Sequence, residues 1–385
     1  MELEVARHDV GTRCPPPNRW GVWNMATSLE MPQQIRHMSE AQQGAEAAAL
    51  ATLCEAQLGR SVVRVEPLAS GLGRRRFYRI HLHPNGGTLI ARVEAREDAN
   101  GRPPGVAPEP ALEPIRALFE AAGLPVPRRL GGDPQCGIAL LEDAGDHFLE
   151  AASGQDSLLR EAAELVPRIQ AIGNPGNVSA FRRRLDAPLF AYKAELFSHY
   201  SLREALGRDP SEAERRVVQD AFAWIAARCA EAPSKLAHRD LQSRNLLVVP
   251  RRSDGGHLVM IDLQGAFLAP PEYDLVCLLR DSYLPVPEPR VAELLAALRP
   301  QLPDVPDPQS FAERFDWLTL TRKGKDHARF LYALRERGDD RYARYLPRTA
   351  ALLRLAARRA ARQATELREL AELVEALPEE APCGE

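Results

Sequence analysis

His238-Arg239-Asp240-Leu241-Gln242-Ser243-Arg244-Asn245 sets a histidine, a carboxylate and a side-chain amide at short fixed spacings. An apolar run, Leu258-Val259-Met260-Ile261, then ends in Asp262. These residue types in this order fit phosphoryl transfer. Asp240, on a loop, can accept or orient the proton of an attacking hydroxyl. Asn245 offers a neutral oxygen and Asp262 an anionic one, which is the ligand chemistry of Mg²⁺, a hard cation. Phosphoryl transfer needs positioning and charge neutralisation more than covalent help, and this set supplies both. His238 reads as a brace for the loop rather than as the base. The competing reading is a polar turn before an ordinary strand, and the coincidence of several spacings weighs against it.

A transferring phosphate also needs a cation. The chain has 385 residues, 50 of them Lys or Arg against 53 Asp or Glu, for a net charge of −3. Only Lys193, Lys235, Lys323 and Lys325 are lysines, and none lies in the first 192 residues. A Walker A lysine under a phosphate is therefore excluded. The near balance of charge argues against a nucleic-acid binder, and short arginine clusters such as Arg74-Arg75-Arg76 have acidic neighbours. Six cysteines show no CxxC or zinc spacing, so a reducing compartment is expected, with Cys54, Cys229 and Cys277 as small buried hydrophobes. There is no run of 18 apolar residues and no secretory leader pattern. The expectation is a soluble, cytoplasmic protein with no membrane, nucleic-acid or obligate protein partner.

The elements that must carry these residues can be read from periodicity. Residues 1–38 lack it and read as a loose tail. Ser39-Glu40-Ala41-Gln42 has capping-box spacing, and an Ala-rich helix follows to about Leu58, stopped by Gly59. Residues 61–68 and 77–82 alternate as strands around Ser70-Gly71-Leu72-Gly73, and Asn85-Gly86-Gly87 turns into a third strand, 88–93. A Pro/Gly-rich connector (100–110), a helix over 111–122 and a short strand over 137–142 complete a small lobe, 39–142. From 143 to 385 the pattern is helical, with 3.6-residue spacing near 156–172, 186–205, 211–231, 272–282, 290–298, 310–336 and 341–377. One hairpin, 245–249 with 258–262, interrupts it. The fold class is α+β, with two lobes: a small antiparallel-sheet lobe and a larger, mainly helical one.

The constellation resembles the protein-kinase-like superfamily, and its details resemble the aminoglycoside phosphotransferase/choline kinase branch. The second acid sits in Ile261-Asp262-Leu263-Gln264, with no D-F-G or A-P-E. Gln264-Gly265-Ala266, Pro270 and the run Tyr273-Asp274-Leu275 to Arg280-Asp281-Ser282-Tyr283 are similar to the anomeric kinases of N-acetylmuramate and N-acetylglucosamine. So are Arg75-Arg76-Phe77-Tyr78-Arg79, Leu124-Pro125-Val126-Pro127, Leu140-Leu141-Glu142-Asp143 and Phe315-Asp316-Trp317. The likeness runs in order over about residues 60 to 350.

The resemblance implies ATP and Mg²⁺ as cofactors, Asp240 as base, and Asn245 and Asp262 as metal ligands. It implies that Ser70, Gly71 and Gly73 cover the ATP phosphates, and that the backbone around Leu141 and Glu142 holds adenine. Candidate substrate contacts are Arg244, Gln264, Asp274, Arg280 and Asp281. For Asp274 a helix-capping role competes, and Arg280–Asp281 is alternatively a structural pair. Three departures stand out: the phosphate loop lacks the Gly-Asp-Ala-Ser seen in the group, the strand expected to bear a phosphate-binding lysine offers Arg92, and a Gln-Arg-His-Leu-Lys-like segment reads Thr321-Arg322-Lys323-Gly324-Lys325. Arginine is longer and planar, so it does not silently replace lysine. The competing reading of Arg92 is a solvent-facing strand-edge charge.

The function this implies is ATP-dependent phosphorylation of a hydroxyl on a small N-acetylated amino sugar, at the anomeric position. The alternatives are an aminoglycoside or other small-metabolite kinase, or a catalytically silent kinase-fold binding module.

Overall fold

The computed structural model describes residues 40–69, 75–83, 86–94, 110–152, 156–250 and 256–378. The N-terminal tail, Ser39 and the loop bearing Ser70, Gly71 and Gly73 lie outside the described residues. The Ala-rich stretch forms helix α1, Glu40–Leu58. Gly59 ends it with φ of 62°, a left-handed turn that a Cβ disfavours. Strands β1 (Val62–Leu68), β2 (Arg76–Leu82) and β3 (Thr88–Val93) follow, then α2 (Leu112–Ala121), β4 (Arg129–Asp133) and β5 (Ile138–Glu142). They form one antiparallel sheet in the order β1-β2-β3-β5-β4.

Strand β4 was not expected, because Arg-Leu-Gly-Gly-Asp has no apolar alternation. Its glycines answer to space rather than pattern: a Cβ on Gly132 would collide with the carbonyl oxygen of Ile138 across the strand pair. One face of the sheet buries Tyr78, Ile80, Leu89 and Ala91 against Leu50 and Cys54 of α1. Helix α2 turns the other way. Its Leu112, Ile115 and Phe119 belong to the core of the helical lobe, and each side chain of this kind contributes about 1.5–3 kcal/mol on burial.

The helical lobe starts with α3 (Asp156–Gln170), α4 (Ala187–Leu196), α5 (Arg203–Leu206) and α6 (Glu212–Ala230). The expected helix 186–205 is interrupted by a π-helical turn, Phe197–Leu202. Helix α6 begins at a capping box: Glu214 N donates to Ser211 Oγ (3.2 Å) and Ser211 N to Glu214 Oε2 (2.7 Å). Four short strands come next: β6 (Lys235–Ala237), β7 (Leu246–Val249), β8 (His257–Met260) and β9 (Phe267–Ala269). The β7–β8 hairpin matches the sequence expectation. The β6–β9 pair, three residues each, is too short to show a period and was missed.

Helices α7 (Tyr273–Leu279), α8 (Glu288–Leu298), α9 (Pro308–Arg337), α10 (Leu346–Gln363) and α11 (Arg368–Glu375) complete the lobe. The expected single helix over 341–377 is three pieces. Residues Asp340–Tyr345 are 3₁₀, Pro347 stands in the first turn of α10 where its missing N–H costs nothing, and Ala364 is extended (φ −144°, ψ 132°). Nothing in the sequence marks the break at Ala364.

Candidate active site

Two backbone links tie the small lobe's exit to the β7–β8 hairpin: Leu149 N donates to Leu246 O (2.8 Å) and Val248 N to His147 O (2.7 Å). The loop before β7 is thereby held at the junction of the lobes. It is also held from below by helix α7. Asp274, in the first turn of α7, accepts from the backbone amides of His238 (2.6 Å) and Arg239 (3.0 Å). Asp281 accepts likewise from Ser243 N (2.7 Å) and Tyr283 N (3.0 Å). Arg239 has φ of 83°, a strained conformation for a side-chain-bearing residue that these bonds maintain.

His238 is fully buried, and its Nε2 lies 3.0 Å from the carbonyl oxygen of Ile261. Nε2 must be the protonated nitrogen, since a carbonyl only accepts. The imidazole thus joins the loop to the end of the hairpin and leaves no role for His238 as a base. Ile261 N returns a bond to Asn245 O (3.0 Å), and Asn245 Nδ2 donates to Asp240 O (2.7 Å). The three expected residues are brought together by these bonds. Because the amide nitrogen of Asn245 is engaged inward, its oxygen remains available as a ligand. Asp262 has left-handed backbone angles (φ 65°), and its Oδ1 accepts from Gln264 Nε2 (2.6 Å) and Arg75 Nη1 (3.0 Å). One carboxylate and one amide oxygen are donors of the kind Mg²⁺ takes.

Asp240 has a partner that the sequence did not disclose. Arg322 of α9, itself buried, donates to Asp240 Oδ1 (2.7 Å), Arg239 O (3.0 Å), Gln242 Oε1 (3.2 Å) and Asp326 Oδ2 (3.2 Å). Burial pushes the Asp240 carboxyl up, but Arg322, Lys325 and Arg239 outweigh it and hold the group well below the usual carboxylate range. Asp240 keeps about a quarter of its side chain exposed (26%) and Asp262 more (39%), so both open to the cleft. The signal for Arg322 is a run of charges, Arg322-Lys323-Gly324-Lys325-Asp326, in a part of α9 where nearly every residue is buried.

The other expected site residues divide. Gln264 orients Asp262. Arg244 stacks over the Tyr283 ring (4.2 Å to its centroid) and donates to Glu150 (2.6 Å) and Tyr345 Oη (2.6 Å). It lines a cavity of about 360 Å³ with Asp340, Arg341, Tyr342 and Arg344, next to Asn245 in the chain. Asp274, Arg280 and Asp281 are 1% exposed and brace the site from behind, with no face left for a sugar. Asp274 grips loop amides rather than capping α7. Arg280 pairs with Glu288, not with Asp281, and sits over the Phe315 ring. Glu142 donates its backbone N–H to Arg128 O (2.9 Å), so that amide is engaged within the sheet, and Leu141 is buried in β5. Arg92 is no strand-edge charge in solvent. It lies buried on β3 between β2 and β5, paired with Glu94.

Among the described residues no helix is long and apolar enough to cross a membrane. A model of the phosphotransferase enzyme family matches residues 64–314. An N-acetylmuramate/N-acetylglucosamine kinase from Neisseria meningitidis is 27% identical over 272 residues, 68% of this chain and 78% of that protein. The protein of the same description from Pseudomonas aeruginosa is 28% identical over 274 residues, 69% and 77% of the two chains. In fold, the chain is similar to a choline kinase from Streptococcus pneumoniae (TM-score 0.55, 15% identity, 80% of this chain and 98% of that one). It is likewise similar to a spectinomycin phosphotransferase in complex with AMP (TM-score 0.55, 12% identity, 78% and 93%). Both the residues that the two lobes gather and the span of the match therefore lead to one conclusion: the chain belongs to the phosphotransferase enzyme family, as an enzyme of the kinase type on a two-lobed α+β fold.

Proposed function

We propose that the protein transfers the γ-phosphate of ATP to a hydroxyl of an N-acetylated amino sugar, at the anomeric position. The observation that carries this reading is the bonding of Asn245 Nδ2 to Asp240 O and of Ile261 N, next to Asp262, to Asn245 O, in a chain whose curated relatives are named N-acetylmuramate/N-acetylglucosamine kinases. Arg322 donates to Asp240 Oδ1, and Oδ2, which has Arg239 Nε at 3.8 Å, would receive the hydrogen bond of the acceptor hydroxyl. The acceptor oxygen bonds to the γ-phosphorus as the bridge to the β-phosphate breaks, ADP leaves, and Asp240 takes up the hydroxyl proton. Asn245 and Asp262 would hold Mg²⁺, which supplies charge neutralisation on the phosphate oxygens.

The cavity that Arg244, next to Asn245 in the chain, lines with Arg341 and Arg344 offers guanidinium groups to an acceptor carboxylate such as that of N-acetylmuramate, in competition with Glu150 and Asp339, which pair with them. A sugar panel containing N-acetylmuramate, N-acetylglucosamine and an aminoglycoside, run with ATP and Mg²⁺ and read by NMR of the product, tests the assignment. Phosphate on the anomeric oxygen of the N-acetyl sugars is expected. Asp240→Asn is expected to lower turnover at least about 100-fold with ATP binding retained. Turnover that survives the substitution, or phosphate delivered only to the aminoglycoside, overturns the proposal.

A further inference from the structure

A kinase of this architecture ordinarily carries a lysine on its third strand to hold the α- and β-phosphates, and this chain has no lysine before Lys193. The position on β3 is Arg92, but its side chain is only 6% exposed, with Nη1 on Glu94 and Nη2 buried without a partner, so it does not open to the cleft. Arg75 differs. It leads from the glycine-rich loop into β2, and its side chain is 19% exposed. Its Nη1 stands 3.0 Å from Asp262 Oδ1, on the other lobe, and its Nε 3.4 Å from Glu94 Oε2. A guanidinium that reaches across the cleft to a metal-binding carboxylate occupies the space where nucleotide phosphates and their cation must come.

We propose that Arg75, not Arg92, is the cation that holds the phosphate chain of the nucleotide, exchanging the carboxylate of Asp262 for phosphate oxygens when the nucleotide and its divalent cation enter. The exchange keeps every charge matched. Asp262 trades a guanidinium for a divalent cation, and Arg75 trades a carboxylate for phosphate, an anion its planar fork contacts in bidentate fashion. Glu94 holds the other edge of the Arg75 guanidinium and is itself fixed by Arg92, so the buried arginine sets the reach of the exposed one. A point-charge ammonium on β3 becomes unnecessary, which accounts for a kinase site built without the strand lysine.

The inference rests on the nucleotide-dependent reading above but is tested without any acceptor sugar. Binding of adenosine, AMP, ADP and ATP, each with Mg²⁺, is measured by calorimetry for wild type, Arg75→Gln, Arg75→Lys and Arg92→Gln. The expected result is a loss in Arg75→Gln that grows along the phosphate chain, reaching about 10- to 100-fold for ATP with adenosine unchanged. Arg75→Lys should recover part of it, and Arg92→Gln should lose less. An equal loss for adenosine and ATP, no loss at all, or a loss in Arg92→Gln as large as in Arg75→Gln overturns the assignment. Wild-type protein that ignores ATP sinks the kinase reading and this assignment together. Wild-type protein that binds ATP as tightly as Arg75→Gln does sinks the assignment alone.

Discussion

In the proposed reaction Asp240 has its two carboxylate oxygens in different surroundings, Oδ1 bonded to Arg322 (2.7 Å) and Oδ2 with Arg239 Nε only at 3.8 Å, and Arg322 decides which is which. Four acceptors around one buried guanidinium fix the aspartate, the backbone of Arg239 and the side chain of Gln242 as a unit. Hydrogen bonds to charged groups of this kind contribute about 1.5–3 kcal/mol each. Arg322→Met should therefore lower kcat roughly 10- to 100-fold with a much smaller change in KM for ATP, because Asn245 and Asp262, the proposed Mg²⁺ ligands, are untouched. Arg322→Lys should recover little, since an ammonium cannot span the same acceptors. Steady-state kinetics for the pair of variants check this. An equal rise in KM would assign Arg322 to binding instead.

At the scale of elements, the catalytic loop is a strained turn suspended between a hairpin and a helix. Asp274 is the hinge pin of that arrangement, with one carboxylate oxygen on each of two successive amides. Asp274→Asn can satisfy only one of them and faces the other with its own N–H₂. The expected cost is about 1–3 kcal/mol of stability, read as a lower denaturant midpoint, together with a fall in kcat. An unchanged midpoint would show that the loop keeps its shape unaided. The contrast between what the sequence disclosed and what it did not follows the same line. His238, Asp240, Asn245 and Asp262 lie within one loop and one hairpin, so spacing alone brings them together. Asp274 was visible as a polar residue near the site, but its partners were not, because a helix-first-turn carboxylate can cap or brace equally well. Arg322 and Arg75 reach the site only through tertiary packing, and strands β4, β6 and β9 depend on neighbours rather than on their own alternation. Gly324 belongs with them: a Cβ there would stand 3.2 Å from the Phe197 ring of the π-helical turn, a requirement with no local trace.

On the scale of the whole molecule, the few lysines are placed differently from most of the arginines. Arginines make the surface ion pairs and the bridges between lobes, including Arg79 to Asp143 (2.6 Å) and Asp146 (2.7 Å). Three of the four lysines gather instead on α4 and α9 beneath the catalytic loop. Lys193 has no hydrogen-bond partner and stands over the rings of Phe190 (5.2 Å) and Tyr273 (5.3 Å). Burial, with Lys325 and Arg322 nearby, brings its pKa down to about 7, whereas a lysine in the unfolded chain titrates near 10.4. Between these values the unfolded chain binds more protons than the folded one, so this group makes stability rise with pH. Its destabilising effect is complete below about pH 7 and fades towards pH 10. Lys193→Met should therefore gain stability over wild type at pH 6 and show a smaller gain at pH 9, measured by urea midpoints. A gain that does not change with pH would mean that Lys193 titrates normally in the fold. The same distribution makes the protein an unusual target for amine-directed labelling. Lys193 and Lys323 are shielded, and Lys235 and Lys325 show only 19% and 22% of their side chains. Of these two, Lys325 stands among the charges around Asp240, so modification at Lys325, unlike that at Lys235, would report on occupancy of the catalytic cleft.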